Sequence, residues 1–303
     1  MGRLAQPRSA VAMIVAIASG KGGTGKTTVS ASLAAVWDRP VIAMDLDVEE
    51  PNLHLFLKPV IHGQEKAYIQ VPAADESKCT YCRACAELCQ FKAIAVLGTA
   101  LLVFTDMCHG CGGCLAVCPT QALSPEHREL GEILWGRSGD NRFLMGRSRV
   151  GEAMSPPLMR EVKKKLSLLM KESAADVIVD APPGVSCPAV NAVMDADVIV
   201  LVTEPTPFGL YDLKLAHEAF APLGKPMGVV VNRAGLGEDK IYDFCRSSGL
   251  PIWCQIPYER QIAAAYADSR IVATLNPELN SLFFGLAAEI RQSRFSDGKV
   301  CHA

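Results

Sequence analysis

The sequence predicts an α/β protein: a doubly wound, mainly parallel sheet, interrupted once by an inserted α+β unit. Short apolar, β-branched runs alternate with helical stretches along most of the 303 residues, the order that gives a parallel sheet covered on both faces. The segment GKGGTGKTT, Gly20 to Thr28, fits G-x-x-x-x-G-K-[ST] and lies between one such run and a helical stretch. Between residues 79 and 118 eight cysteines fall into two identical runs, an internal repeat inside the alternation.

Composition bounds the possibilities. Half the residues are hydrophobic and a fifth are charged, enough to bury a sizeable core in one large or two modest domains. A formal net charge of −2 gives no general pull towards nucleic acid or anionic lipid. No run approaches the length of a membrane span. The start, MGRLAQPRSAVAMIVAIA, has the basic-then-apolar order of a signal peptide. Its apolar part, however, feeds the Gly-rich loop, and cleavage there would remove that strand. Residues 1–10 read as a loose tail, and the protein as cytoplasmic. The twelve cysteines are clustered, which argues against a disulfide framework.

Taken in order, Val11–Ala18 is a buried first strand and VSASLAAVW a helix. Strand, Gly-rich loop and helix are the context of a phosphate-binding loop, as in P-loop NTPases. Gly20, Gly22, Gly23 and Gly25, with Thr24 and Thr28, let backbone N–H groups turn around an anion at the helix start. Lys26 then neutralises the β- and γ-phosphates of ATP, and the Thr27 hydroxyl takes Mg²⁺. A chance Gly-rich turn would not be expected to carry Gly, Lys and Thr together after such a strand. Lys21 lies inside the loop, giving K-G-G-T-G-K-T. This resembles the deviant Walker A loop of the MinD/ParA/nitrogenase-iron-protein class of ATPases. The resemblance implies that Lys21 reaches the nucleotide of a partner subunit, hence a homodimer closed by ATP.

Pro40–Met44 is a second short strand, ending in Asp45-Leu-Asp-Val-Glu-Glu-Pro-Asn52. By resemblance this is switch I, with Asp47 orienting the attacking water and Asp45 close to the metal and phosphates.

The cysteine runs are Cys79-x2-Cys82-x2-Cys85-x3-Cys89 and Cys108-x2-Cys111-x2-Cys114-x3-Cys118-Pro119. This is the ligand spacing of bacterial ferredoxins with two 4Fe-4S clusters. Crossed ligation is expected: Cys79, Cys82, Cys85 and Cys118 on one cluster, Cys108, Cys111, Cys114 and Cys89 on the other. Zinc is the alternative, but it generally uses separated C-x2-C pairs. Gln90 stands where the first half of a ferredoxin usually has proline. Ala93–Leu97 and Leu101–Phe104 resemble the hairpin strands of a ferredoxin. Residues 126–155, with Arg137, Arg142, Arg147 and Arg149, read as a solvated, irregular connection or a docking face for an acidic partner.

From Pro156 the α/β pattern resumes. LMREVKKKLSLLMKESA is an amphipathic helix whose Lys163–Lys165 run reads as a solvated face. Asp176–Asp180 followed by Ala-Pro-Pro-Gly184 is a Walker B strand and switch II: Asp180 holds the Mg²⁺ shell and Gly184 senses the γ-phosphate. Further strands are expected at Asp197–Thr203, Met227–Asn232 and Ile252–Ile256. By resemblance Asn232, followed by Arg233, reads the adenine edge, and Pro257-Tyr258-Glu259 is a second base-contacting loop. The resemblance covers residues 11–293 and is closest to MinD-superfamily ATPases carrying an inserted ferredoxin domain. It divides the chain into an ATPase domain of residues 11–61 and 156–293, an insertion of 62–155 with a ferredoxin-like core of about 72–125, and tails at 1–10 and 294–303. PELNSLFFGLAAEIRQSRF reads as a closing helix, against the alternative of a membrane-binding tail.

Two functions share this architecture. In one, ATP-driven dimerisation controls two Fe–S clusters for electron transfer or for cluster and metallocofactor assembly with a partner protein. In the other, a positioning ATPase in the MinD/ParA manner carries structural or sensory clusters. Eight cysteines in two complete motifs favour the first. Cys187 lies outside the motifs, seven residues after Asp180. It is either a buried packing cysteine or, by resemblance to the nitrogenase iron protein, a thiol approaching its symmetry mate.

Overall fold

The computed structural model describes residues 12–296 apart from 153 and 238. Most of the expected tails, together with Cys301, lies outside the described residues. In chain order the strands are β1 (Ile14–Ala18), β2 (Val41–Asp45), β3 (Val60–Ala74), β4 (Ile94–Leu97), β5 (Ala100–Val103), β6 (Leu123–Ser138), β7 (Asn141–Ser148), β8 (Asp176–Asp180), β9 (Val198–Thr203), β10 (Met227–Ala234) and β11 (Ile252–Pro257). The helices are α1 (Lys26–Val36), α2 (Leu53–Leu57), α3 (Ala84–Leu88), α4 (Gly113–Val117), α5 (Ser155–Glu172), α6 (Cys187–Val193), α7 (Pro207–Phe220), α8 (Lys240–Ser247), α9 (Arg260–Ala267) and α10 (Pro277–Ser296).

Nine of these strands form one sheet in the order β11-β10-β9-β1-β8-β2-β7-β6-β3. From β11 to β7 all neighbours are parallel, while β6 runs antiparallel to both β7 and β3. Strands covered on both faces need apolar residues at every position, and IVAIA, VIAMD, DVIVD and VIVLVT supply them. Alternate residues feed two cores. Ala16, Met44, Val177 and Val179 pack with α5, α6 and α7, whereas Val15, Ile17, Ala43 and Val200 pack with α1 and α10. The expected doubly wound, mainly parallel sheet is therefore present. The closing helix is α10, whose Leu279, Phe283, Leu286 and Ile290 are buried in the second core. Among the described residues no helix is long and apolar enough to cross a membrane.

Residues 126–155 correct the sequence expectation of an irregular connection. Most of this segment is β6 and β7. Leu130, Ile133, Phe143, Leu144 and Met145 point into the cores, and the arginines occupy exposed positions paired to carboxylates, Arg142 with Glu172 and Arg147 with Glu132. Gly136 permits the close approach of β3, since a Cβ there would lie 2.0 Å from the Val60 carbonyl oxygen. The nine-stranded sheet thus takes in parts of residues 62–155. β3 and β6 extend the sheet as a long hairpin from Val60↔Arg137 to Ala74↔Leu123, leaving only residues 75–122 outside it. The Lys163–Lys165 run is also less solvated than expected: Lys163 pairs with Asp195 at 2.8 Å, and the Lys165 ammonium lies 3.4 Å from the Trp135 ring centre.

Residues 75–122 repeat themselves at a 29-residue step, Cys79 to Cys108. α3 is matched by α4. Left-handed backbone at Tyr81, Arg83 and Lys92 recurs at Gly110, Gly112 and Gln121. β4 and β5 pair as a separate antiparallel hairpin, and Ile94, Val96, Leu101 and Leu123 form a small core with Cys85 and Cys114.

Because Ala74 and Leu123 are cross-strand partners, replacing residues 75–122 with Gly-Asn-Gly should close a hairpin and leave the nine-stranded sheet intact. Circular dichroism should report the helix content of the remaining chain, less only the short helices α3 and α4. The Tm should fall by less than about 10 °C, on a scale of roughly 2–4 °C per kcal/mol for a domain of this size. An unfolded product would make residues 75–122 integral to the sheet.

Candidate functional site

The C-terminal ends of β1, β8 and β2 meet at one place. β1 ends at Ala18, and the chain turns through Gly20–Gly25 into α1, with Gly23 and Gly25 in left-handed backbone at φ 77° and 98°. Gly25 cannot carry a side chain, because a Cβ would lie 2.4 Å from the Asn232 amide nitrogen. That amide donates to the Thr24 carbonyl at 2.8 Å, so Asn232 braces the loop. The Thr24 hydroxyl is buried without a hydrogen-bond partner. Gly22 and Gly23 face open space, and Thr28 is buried in the first turn of α1.

Asp45 and Asp180 are register partners at the tips of β2 and β8, and both are nearly or fully buried. Desolvation, and then the negative charge of Asp180, pushes Asp45 well above the usual carboxylate range, against hydrogen bonds from Leu53 N–H and Asp47 N–H. Asp180 is also raised by burial; the Thr27 hydroxyl, Lys26 and Ser30 oppose the shift. Lys26 is buried, and that burial lowers its pKa against the pull of Asp180, Asp47 and Asp45. Burial raises Asp47 to about 6, opposed by the Lys26 charge. Carboxylates crowded in this way suit a cation. Among the described residues no group of three or more His, Cys, Asp or Glu side chains converges on a single metal position. A magnesium ion would therefore take Thr27 and Asp180 with phosphate and water oxygens, as that ion commonly does. Beyond the end of β8, Gly184 at φ 89° donates its N–H to the Ser19 carbonyl at 3.0 Å.

Lys21 is not over these carboxylates. Its ammonium is 2.8 Å from Glu204 and 3.9 Å from Asp212, and Arg233 pairs with the other Glu204 oxygen at 2.8 Å. Pro257 ends β11, and Tyr258, half exposed, donates its N–H to the Ala234 carbonyl beside Arg233. Sequence reasoning missed Ser30, Glu204 and Asp212. Ser30 is one helical turn after Lys26, a usable signal. Glu204 follows the tip of β9, at the sheet edge where ligands bind in such folds. Nothing local pointed to Asp212.

The eight motif cysteines line two separate cavities. One, about 340 Å³, is lined by Cys89, Cys108, Cys111 and Cys114, with Phe91 and His109 stacked 3.6 Å apart among its lining residues. The other, about 20 Å³, is lined by Cys79, Cys82, Cys85 and Cys118. Each takes three cysteines from one run and the last from the other. Backbone N–H groups aim at the sulfurs: Tyr81 at Cys79, Gly110 at Cys108 and Ala122 at Cys118, at 3.2–3.4 Å. Burial raises the Cys85 thiol, and raises Cys114 to about 11. Of the remaining cysteines, Cys245 and Cys254 are buried packing residues, pushed up to about 11 and about 12 by desolvation. Cys187 is exposed at the first position of α6, which corrects the buried packing alternative: its side chain faces solvent.

A family model described as the CobQ/CobB/MinD/ParA nucleotide binding domain matches residues 15–272. An uncharacterized protein of Methanocaldococcus jannaschii is 32% identical over 263 residues, covering 84% of this chain and 89% of that protein. An uncharacterized ATP-binding protein of the same archaeon is 27% identical, covering 84% of this chain and 77% of its own length. Among solved structures, the cell division ATPase MinD of Pyrococcus furiosus superposes with TM-score 0.57 at 21% identity, covering 92% of this chain and 98% of that one. MinD of Pyrococcus horikoshii, complexed with Mg-ADP, gives TM-score 0.57 at 21% identity, covering 92% and 96%.

Asp47 supplies a pH test. Its pKa is raised to about 6, so between the unfolded value near 4 and pH 6 the folded state holds more protons than the unfolded state. Stability from this group is greatest at low pH and is lost as pH rises through about 6. Asp47→Asn should therefore raise the Tm of the nucleotide-free protein more at pH 7.5 than at pH 5, which lies inside that window, and change it little below pH 4. Equal shifts at both pH values would contradict a raised Asp47.

Proposed function

The chain belongs to the CobQ/CobB/MinD/ParA nucleotide-binding family, and from that membership we propose that it is a Mg²⁺-dependent ATPase. Its nucleotide-closed homodimer controls two 4Fe-4S clusters in an inserted ferredoxin-like domain, residues 75–122 on the β3/β6 hairpin. Its task is electron transfer, or assembly of iron–sulfur or other metallocofactors with a partner protein. The observation that carries this proposal is the make-up of the two cysteine pockets, each drawing three thiols from one run and the fourth from the other. That donor set fits iron–sulfur cubanes and not zinc, whose structural sites pair C-x2-C units. Cys79, Cys82, Cys85 and Cys118 would hold one cluster, and Cys89, Cys108, Cys111 and Cys114 the other. When bound, they supply one-electron redox chemistry.

The residues of the loop act on ATP by charge and position. Backbone N–H groups of Gly20–Thr28 cradle the phosphates, and Lys26, already desolvated, neutralises them without reorganisation. Thr27 and Asp180 hold the metal, with Asp45 behind it. Asp47 orients the attacking water, and Gly184 follows the γ-phosphate. Lys21 must leave Glu204 and Asp212 to reach a partner's nucleotide. Asn232, Arg233, Pro257 and Tyr258 frame the base, with Asn232 also bracing Thr24. The free cysteines suit a reducing compartment, the cytoplasm. A MinD-like positioning ATPase would use its last helix as a membrane tail, but Leu279, Phe283, Leu286 and Ile290 of α10 are buried in the core.

Lys26→Ala should abolish nucleotide binding measured by calorimetry. Lys21→Ala should keep binding but lose ATP-dependent dimerisation and most of its hydrolysis. Normal turnover by the Lys21 variant would remove the trans-acting role.

Anaerobically isolated protein should carry about eight iron and eight sulfide per chain, four of each in every complete cysteine set. Cys118→Ser should perturb one cluster in the electron paramagnetic resonance spectrum and leave the other unchanged. Stoichiometric zinc without sulfide would end the iron–sulfur proposal.

A further inference from the structure

The segment after Asp47 and the larger cysteine pocket are joined by a series of polar contacts that sequence reading did not anticipate. Next to Asp47, the Val48 carbonyl accepts from Ser148 N–H at the end of β7, at 2.8 Å. Glu49 accepts from the Ser155 hydroxyl at 2.7 Å, at the first residue of α5. Met154, just before it, donates its N–H to Glu152 at 3.1 Å. The Glu152 side chain is 1% exposed and pairs with two arginines, Arg128 of β6 and, at 3.3 Å, Arg149. Both arginines also reach Asp106, at 3.5 and 2.8 Å. Asp106 sits two residues before Cys108, in the turn that leads into the larger pocket.

The repeat supplies an internal control. One 29-residue step before Asp106 is Ser77, which bonds only to Asp75, at 2.6 Å through its hydroxyl and 3.1 Å through its N–H, among the described contacts. The first cysteine run thus lacks the acid by which the second is tied to the arginines. We infer that Glu49–Ser155 and Glu152–Arg128/Arg149–Asp106 form a relay, by which nucleotide at the phosphate loop alters the Cys89/Cys108/Cys111/Cys114 pocket and not its twin. The inference rests on the proposed coupling of nucleotide to the cysteine pockets and assigns it a route and a direction. Physically, a ligand acts through such a route only if the segment it touches has two arrangements and the contacts differ between them. The segment from Asp47 to Glu50 is placed for this, since the Val48 carbonyl and the Glu49 carboxylate bond to β7 and α5 while the Val48 side chain is buried in the core they share. The arginine pair then transmits displacement of α5's first turn, since Glu152 is too buried to re-pair with water without cost.

Hydrogen exchange on the full anaerobic chain, with and without the β,γ-imido analogue of ATP and Mg²⁺, tests the relay without needing the clusters as reporters. The analogue should change exchange across residues 104–113 by about fivefold or more, the lower end of usual coupling between sites. Residues 75–84 should change by less than about twofold. Ser155→Ala and Asp106→Asn, both outside the nucleotide machinery, should bind the analogue with wild-type affinity yet lose the response at 104–113. The relay is overturned if both segments respond alike, if the variants respond as wild type does, or if wild-type protein binds the analogue without responding. Iron and sulfide counts on the same samples judge the cluster assignment separately. A chain without iron but with the exchange pattern would keep the relay and lose the clusters.

Discussion

Charge crowded into a water-poor corner is the constraint on which the rest of this structure depends. Parallel pairing of β2 with β8 places Asp45 and Asp180 side by side, and α1 brings the Lys26 ammonium into the same space. Two buried carboxylates at adjacent strand tips are costly unless each is hydrogen-bonded or neutralised. The surrounding chain is arranged for that. Ser30 donates to Asp180, while the N–H groups of Asp47 and Leu53 donate to Asp45. The raised pKa values show that these donors offset only part of the desolvation. A ligand carrying its own cation would complete the balance and stabilise the folded chain.

Features set by local chemistry were legible in the sequence. Strand, Gly-rich loop and helix are contiguous, and the six strands expected of the parallel sheet lie where β1, β2, β8, β9, β10 and β11 are found. β6 and β7 were not legible because their arginines and glycines mask the pattern. Arg147 and Glu132 neutralise one another only after the strands pair, and Gly131 and Gly136 are explained only by neighbouring backbone within 2.1 Å of their missing Cβ positions. The same holds at the site. Lys26, Thr27 and Asp180 announce themselves by position, whereas the partners of Lys21, Glu204 and Asp212, lie far off in sequence. Ion pairs of that kind carry no periodicity for a sequence to display.

The hairpin of β3 and β6 explains how a second unit could be hosted at all. Its last pair, Ala74 and Leu123, brings the ends of residues 75–122 to adjacent strands, so inserting them costs little more than closing a loop. β3 is also the edge of the sheet. Gln64, Glu65 and Lys66 are exposed along it, and Pro72 lies near its end, polar and proline residues of the sort that discourage pairing with another chain. The parallel core is thus left untouched, and residues 75–122 lie beyond the last pair of the antiparallel β3 and β6.

Within the guest, symmetry of backbone coexists with asymmetry of side chain. Both cysteine runs need left-handed residues after the first and second cysteines, to turn the next thiol inward. The first run meets that need with Tyr81 and Arg83, the second with Gly110 and Gly112. Non-glycine residues in that conformation are strained by roughly 1–2 kcal/mol, and glycines relieve that strain. Gly110 also admits the Ile69 side chain, which would lie 2.5 Å from a Cβ there. Exposure of the thiols is nevertheless the same in both runs: Cys82 and Cys111 are exposed, and Cys85 and Cys114 are buried. What differs is attachment, since the run built with glycines is the one joined through Asp106 to Arg128 and Arg149, and the other is left to its own local bonds.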